Sequence, residues 1–276
     1  MSSSKRVIVN TLAQNIRSLL NIGMSLYSAR IVLDALGESD YGIFSLVGGV
    51  ISMLGFITNA MVVSTQRHLS FLYGKGDNDG VHKMFSSGLL LHYLWGILLV
   101  LLFVLVRPLV FNSGILNIEA SRHVVANSVY LILVISLFVS FITAPFRALF
   151  IARENIVFIS IVDVIDGALK LGLVFTLYQI PSDRLVVYAL IVTGIAVFNL
   201  VALAGYGIFK YSECCLIPRR FDTKMMRQMS SFAGWTIYST GCIVGRTQGL
   251  AVVLNHFFGE VINSAYGIAI QVTGAV

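Results

Sequence analysis

Residues 7–33, VIVNTLAQNIRSLLNIGMSLYSARIVL, decide the fold class. The run is long and apolar enough to form a helix across about 30 Å of hydrocarbon. Yet Asn10, Gln14, Arg17, Asn21, Ser25 and Ser28 recur at steps of three and four, which places them on one helical face. An arginine at the middle of a membrane helix costs roughly 2.5–3.5 kcal/mol on insertion scales. That cost is tolerable where the face lines a wet cavity or a protein interior. We therefore read this face as one wall of a polar cavity whose other walls the rest of the chain supplies. A seam that only packs helix to helix through hydrogen bonds is the alternative.

The rest of the chain fits a lipid setting. It has 276 residues, 57% hydrophobic and 12% charged, with a mean hydropathy of +0.86. A soluble domain carries about 25% charge. Hydrophobic segments fall at Val7–Leu33, Tyr41–Thr65, Phe85–Val106, Val124–Phe150, Ile156–Tyr178, Leu185–Phe209, Ser231–Leu254 and Val261–Val276. A β-barrel would show alternating segments of about 10 residues, and this sequence does not. The expected fold is all-α and polytopic. Met1–Arg6 is basic but leads into no signal-peptide core and cleavage site, so the first helix is expected to be retained.

The net charge of +6 is explained by topology rather than by nucleic acid. With the N-terminus in the cytoplasm, twelve Lys and Arg residues fall in inside segments and three (Arg107, Arg122 and Arg184) in outside loops. The positive-inside rule then sets the orientation. Cys214, Cys215 and Cys242 lack zinc spacing and read as structural or incidental.

Several connections have their own signatures. Gln66–His82, with Gly74, Gly76 and Gly80, reads as a flexible inner loop. Pro145 is expected to kink the fourth helix and leave Phe146–Ala152 as an angled, interfacial continuation. Lys210–Met229, with Pro218-Arg219-Arg220, reads as a basic joint near the inner leaflet. This divides the chain into a six-helix lobe (1–209), a basic cytoplasmic linker (210–229) and the start of a second lobe (230–276). An internal echo supports the division. Ile31-Val32-Leu33, Gly37-Glu38 and Tyr41-Gly42-Ile43 resemble Val252-Val253-Leu254, Gly259-Glu260 and Tyr266-Gly267-Ile268. Six helices separate the copies, so the repeat is parallel, and a glycine turn is expected in each. The second lobe is then incomplete within this chain.

Charges inside the membrane mark the candidate site. Asp163, Asp166 and Lys170 share one face of the fifth helix. Asp166 and Lys170 form an i,i+4 pair with the acid first, which leaves Asp163 as the odd residue, and the three are expected to act as a coupling or gating cluster. Arg246 lies roughly 20 Å into the seventh helix and Arg17 roughly 15 Å into the first. As repeat partners they would face one another across the two units. Arginines with few acids suit an anionic ligand, because guanidinium forks onto phosphate oxygens. Arg30 either joins them or snorkels to the interface. No P-loop, H-E-x-x-H or G-x-S-x-G motif is present, and neither a metal nor a cofactor is expected.

These residues together resemble the polysaccharide-transporter branch of the MATE/MOP flippase superfamily. The similarity rests on the polar-striped first helix, Arg30-Ile31-Val32-Leu33, Leu36-Gly37 and Asp40-Tyr41-Gly42-Ile43. It extends to Gln66-Arg67-His68-Leu69-Ser70, Gly74-Lys75-Gly76-Asp77, Pro145 with Ala152-Arg153-Glu154, and Asn255-His256-Phe257-Phe258-Gly259 with Ala265-Tyr266-Gly267-Ile268-Ala269. The resemblance implies two lobes of 12 or 14 helices in all, rocking around a central cavity in the bacterial inner membrane. It implies a substrate, an undecaprenyl-pyrophosphate-linked oligosaccharide flipped between leaflets, and no enzymatic step. Membrane lipids and a polysaccharide polymerase are the implied partners. In related lipid II flippases the cavity arginines lie on the first helices and the seventh, and Arg17 and Arg246 match by helix. Asn10, Gln14 and Asn21 would then hydrogen-bond sugar or phosphate. A MATE-type exporter of cationic drugs would want acids in the first-lobe cavity instead. A polymerase or ligase of lipid-linked sugars would want a large outer loop.

Overall fold

Gly37 sets the first bend of the chain. Its φ of 79° and ψ of 167° lie outside the helical region and are open to glycine at no steric cost. The structure is a computed structural model and describes residues 3–52, 55–112, 118–179, 183–214 and 221–275. Helix α1 (Ser3–Ser52) therefore consists of two limbs that meet at Gly37. It is followed by α2 (Gly55–Lys75), α3 (Asn78–Asn112), α4 (His123–Ala152), α5 (Ile156–Val174), α6 (Arg184–Lys210) and α7 (Thr223–Ala275). Short 3-10 turns connect them, and no strand occurs among the described residues.

Among the described residues, four helices are long and apolar enough to cross a membrane: Ile8–Gly49, Asn78–Phe111, His123–Ala152 and Arg184–Lys210. Helix α5 carries Asp163, Asp166 and Lys170, so its charged face needs a protein cover. The first limb of α1 and helix α4 provide it, as the side-chain bonds below show.

The two largest of the buried clusters among the described residues hold the two ends of the bundle. Near the chain's N-terminal end Phe85, Phe141, Phe146, Leu149, Phe150 and Leu203 pack together, and the Phe158 and Tyr206 rings stack at 4.0 Å. Toward the Gly37 end Val47, Phe103, Ala126, Tyr130 and Leu185 form the second. The Tyr130 hydroxyl donates to the Phe103 carbonyl at 2.8 Å, so this buried polar group is satisfied.

Both ends are tied by ions. At the Gly37 end Arg122 forks onto Asp40, with Nε at 2.9 Å from Oδ1, and its Nη1 lies 2.6 Å from Asp183 Oδ2. Asp183 also caps α6 by accepting from the Leu185 amide at 3.1 Å. At the other end Arg153 Nε donates to Glu213 at 2.8 Å, the Tyr73 hydroxyl donates to the same oxygen, and the guanidinium lies 4.2 Å over the Tyr73 ring. Burial pushes the Glu213 carboxyl up. Hydrogen bonds from Tyr73, a backbone amide and Arg153 outweigh it, and the net pKa lies below the ordinary carboxylate value.

Three connections differ from expectation. Gln66–His82 is not a loop: α2 runs to Lys75 and α3 starts at Asn78. Leu69 and Leu72 recur at helical spacing and are buried. Gly76, at φ 70°, and Asp77 break the path, and their amides bond back to Tyr73 and Leu72 as in a glycine helix cap. Phe146–Ala152 is not an interfacial continuation either. Helix α4 passes through Pro145, and Phe146, Leu149 and Phe150 sit in the core. Membrane helices tolerate proline where neighbours re-satisfy the freed carbonyl. The turn expected at Gly259-Glu260 is absent, since α7 is helical from Thr223 to Ala275. No proline stands in that stretch, and one glycine costs a helix only about 1 kcal/mol. The Pro218-Arg219-Arg220 run lies outside the described residues.

The seventh helix is fastened to the first six at its start. Asp222 caps it through the Lys224 amide at 2.8 Å, and the Asp222 amide donates to Ser87 Oγ at 3.0 Å. Ser64 Oγ donates to the Met229 carbonyl at 2.9 Å, and Arg67 lies 4.3 Å over the Phe232 ring.

Candidate functional site

The charged face of α5 is the floor of the site. Steps of three and four align Asp163, Asp166, Gly167 and Lys170. Gly167 is where α1 comes closest: a Cβ there would stand 2.6 Å from Met24 Cε and 3.0 Å from Asn21 Oδ1. That approach brings Arg17 to Asp163, with Nη1 2.8 Å from Oδ2. From the other side Arg147 on α4 forks onto the same carboxylate, at 2.5 Å to Oδ1 and 3.1 Å to Oδ2. The three side chains are 22% (Arg17), 15% (Asp163) and 32% (Arg147) exposed, so the cluster is shielded but reachable.

A second cluster lies one turn further. Lys170 Nζ is 2.7 Å from Asp166 Oδ2, and Asn199 Nδ2 on α6 donates to Asp166 Oδ1 at 2.5 Å. Two buried amide oxygens, Asn21 Oδ1 and Asn199 Oδ1, have no donor in the structure.

Two cavities meet over these residues. One, of about 790 Å³, extends from Asp166 and Lys170 toward the Gly37 end, between α1, α4 and α6. The other, of about 490 Å³, is walled by Arg147, Asp163, Asn199, Thr58 and Thr143. Asn21, Ser136, Ser140, Asp166 and Lys170 line both, so the cavities adjoin. Arg147 and Lys170 balance Asp163 and Asp166 in the lining, and Arg17, which lines neither cavity, adds one formal positive charge behind Asp163.

The expected site residues separate. Asn21, Asp163, Asp166 and Lys170 line the smaller cavity together, and Arg17 joins them through its ion pair with Asp163 while lining neither cavity. Asn10 is not in the cavities: its Nδ2 donates to the Glu154 carbonyl at 2.9 Å and pins the start of α1 to the α4–α5 turn. Gln14 and Arg30 are exposed and outside both linings. Arg246 is exposed on α7, which packs on α2 and α3 and does not bring it to Arg17.

Asp163 is the reverse of unpaired, because it holds two arginines. One of them, Arg147, is among the twelve Lys and Arg residues that the charge count places in inside segments. Its signal was the apolar run on both sides, Phe141–Phe146 and Ala148–Ala152, which continues the helix. Asn199, inside the sixth hydrophobic run, was also overlooked. A lone amide in such a run is the kind of residue that bonds across helices.

No family model matches the sequence, and no curated protein matches it. Solved structures do. A MOP superfamily transporter from Pyrococcus furiosus superposes with a TM-score of 0.80 at 13% identity, over 98% of this chain and 60% of that one. A MATE in complex with MaL6 gives 0.77 at 14%, over 96% and 60%. A eukaryotic MATE transporter gives 0.65 at 16%, over 98% and 60%. The chain has the fold of MATE/MOP transporters. It spans 60% of the length of each of these MATE/MOP structures. Within that fold the two cavities lie inside the bundle of the first six hydrophobic segments.

Proposed function

We propose that the chain belongs to a flippase that moves a lipid-linked oligosaccharide pyrophosphate across the bacterial inner membrane, with its N-terminus in the cytoplasm. The observation that carries this reading is the Arg147–Asp163 fork that lines the smaller cavity, with Arg17 bound to the same carboxylate from outside the lining. Asp163 holds both guanidiniums in place and leaves each with N–H donors to spare, the arrangement a phosphate oxygen needs. Lys170 and Asp166 form the coupling or gating pair. Arg246 would meet the substrate from the second lobe as the lobes rock. The cycle moves a substrate and makes no bond, so the protein is a transporter rather than an enzyme. A pathway polymerase is the natural partner on the receiving side.

A MATE-type exporter of cations is the second reading, and the carboxylates of Asp163 and Asp166 in the lobe cavity favour it. A cation entering there would have to displace Arg17, Arg147 or Lys170 from its own ion pair. The Pyrococcus furiosus transporter is described as having a binding pocket of reverse polarity suggesting a different function. Pockets of either sign are therefore reasonable on this fold.

The test is surface polysaccharide in cells that depend on the full-length protein for it. Arg17→Gln and Arg147→Gln should each cut the polysaccharide by about ten-fold or more, since a charged hydrogen bond contributes about 1.5–3 kcal/mol. Gln14→Ala should not. Normal polysaccharide in the double arginine variant overturns the reading.

A further inference from the structure

The smaller cavity already holds an anion of its own. Arg147 lines it, and the guanidinium fork grips Asp163 at 2.5 Å to Oδ1 and 3.1 Å to Oδ2. A carboxylate held this way takes the position that a phosphate takes on an arginine. With Lys170 on Asp166, the four charged groups of the lining cancel. An anion entering that wall meets as much repulsion as attraction.

Arg17 holds the same carboxylate from outside the lining. Its Nη1 is 2.8 Å from Asp163 Oδ2, yet it lines neither cavity. Contacts on either side fix it there. Asn10, two turns earlier on α1, is bonded to the Glu154 carbonyl, and Asn21 and Met24, one and two turns later, are packed against Gly167. Asp166 has no such reserve, because Lys170 and Asn199, its partners, both line the cavity. Asp163 alone of the two carboxylates has one partner in the cavity and one behind it.

We infer that Asp163 is an exchangeable counter-ion: an arriving phosphate takes the Arg147 fork, and Asp163 stays behind on Arg17. The inference rests on the anionic-substrate reading above and adds the order of events at that site. Spare N–H groups on Arg147 make the first contact, and the bidentate grip follows when the carboxylate lets go. Arg17 keeps Asp163 paired meanwhile, so no shielded charge is left alone. Arg17 is then a positioning residue, since it touches Asp163 and not the substrate. The exchange also moves a tie between helices. Before it, Asp163 joins α5 to both α1 and α4; after it, to α1 alone.

The test is equilibrium binding of radiolabelled inorganic pyrophosphate to the purified full-length protein. Asp163→Asn removes the competitor and should tighten binding by about ten-fold. Arg17→Gln leaves Asp163 with Arg147 alone and should weaken binding by about ten-fold. Arg17→Lys keeps a charge for Asp163 and should stay within about three-fold of the unmodified protein, because Arg17 uses a single nitrogen on it. The deciding variant combines Arg17→Gln with Asp163→Asn. With no carboxylate left to hold, it should bind within about three-fold of Asp163→Asn alone.

An equal loss from Arg17→Gln in both backgrounds overturns the exchange and makes Arg17 a direct contact. Binding by Asp163→Asn that is unchanged or weaker overturns it as well. Where Asp163→Asn does not fold, the two Arg17 variants decide, and equal binding by Arg17→Gln and Arg17→Lys overturns the exchange. Pyrophosphate that binds neither the unmodified protein nor Asp163→Asn overturns the anion reading itself, and the exchange with it.

Discussion

Replacing Asp163 with Asn should destabilise the protein more than any other single change in the cavity. The amide keeps the shape and removes the charge. Arg17 and Arg147, now 2.8 Å and 2.5 Å from a neutral group, are left to repel each other across it. Breaking a fully buried pair by removing one partner costs about 3–5 kcal/mol. These side chains are 15–32% exposed, so water screens part of the loss and about 1–3 kcal/mol is expected. At about 2–4 °C per kcal/mol, the apparent melting temperature in detergent should fall by roughly 2–12 °C. Adding Arg17→Gln to Asp163→Asn should recover part of that fall, because one uncompensated charge is gone. The pair is then read as a double-mutant cycle with about 1 kcal/mol or more of coupling. A melting temperature for Asp163→Asn within about 2 °C of the unmodified protein would refute the reasoning.

Two further outcomes follow from the packing. Glu213 binds its proton less readily folded than unfolded. Its contribution is therefore complete above the unfolded value of about 4.3 and is lost as pH falls through the folded value, so stability should drop on acidification over that window. Glu213→Gln should lower stability at neutral pH by about 1–3 kcal/mol and flatten this acid limb, measured by thermal melts at stepped pH. Gly96→Val should cost about 1–3 kcal/mol through overpacking, because a Cβ there already lies 2.9 Å from the Phe138 ring and 3.4 Å from Phe141 Cβ. Thermal melts that match the unmodified protein would show that α3 and α4 can part at this point.

The all-helical membrane class was legible because apolar runs of spanning length admit little else. Backbone groups in lipid must be satisfied within the segment, and helices do that. The expected ranges for the fourth and sixth helices, Val124–Phe150 and Leu185–Phe209, lie within a few residues of α4 and α6. The turn at Gly37 and the Asp166–Lys170 pair were readable for the same kind of reason, since each depends on residues no more than a turn apart. The partners of Asp163 were not. Arg17 is 146 positions before it and Arg147 is 16 before it, on different helices. Periodicity gives the face of a helix and says nothing about which helix meets that face. Only the close approach at Gly167 and the orientation of α4 put two guanidiniums on one carboxylate and opened the two cavities beside it.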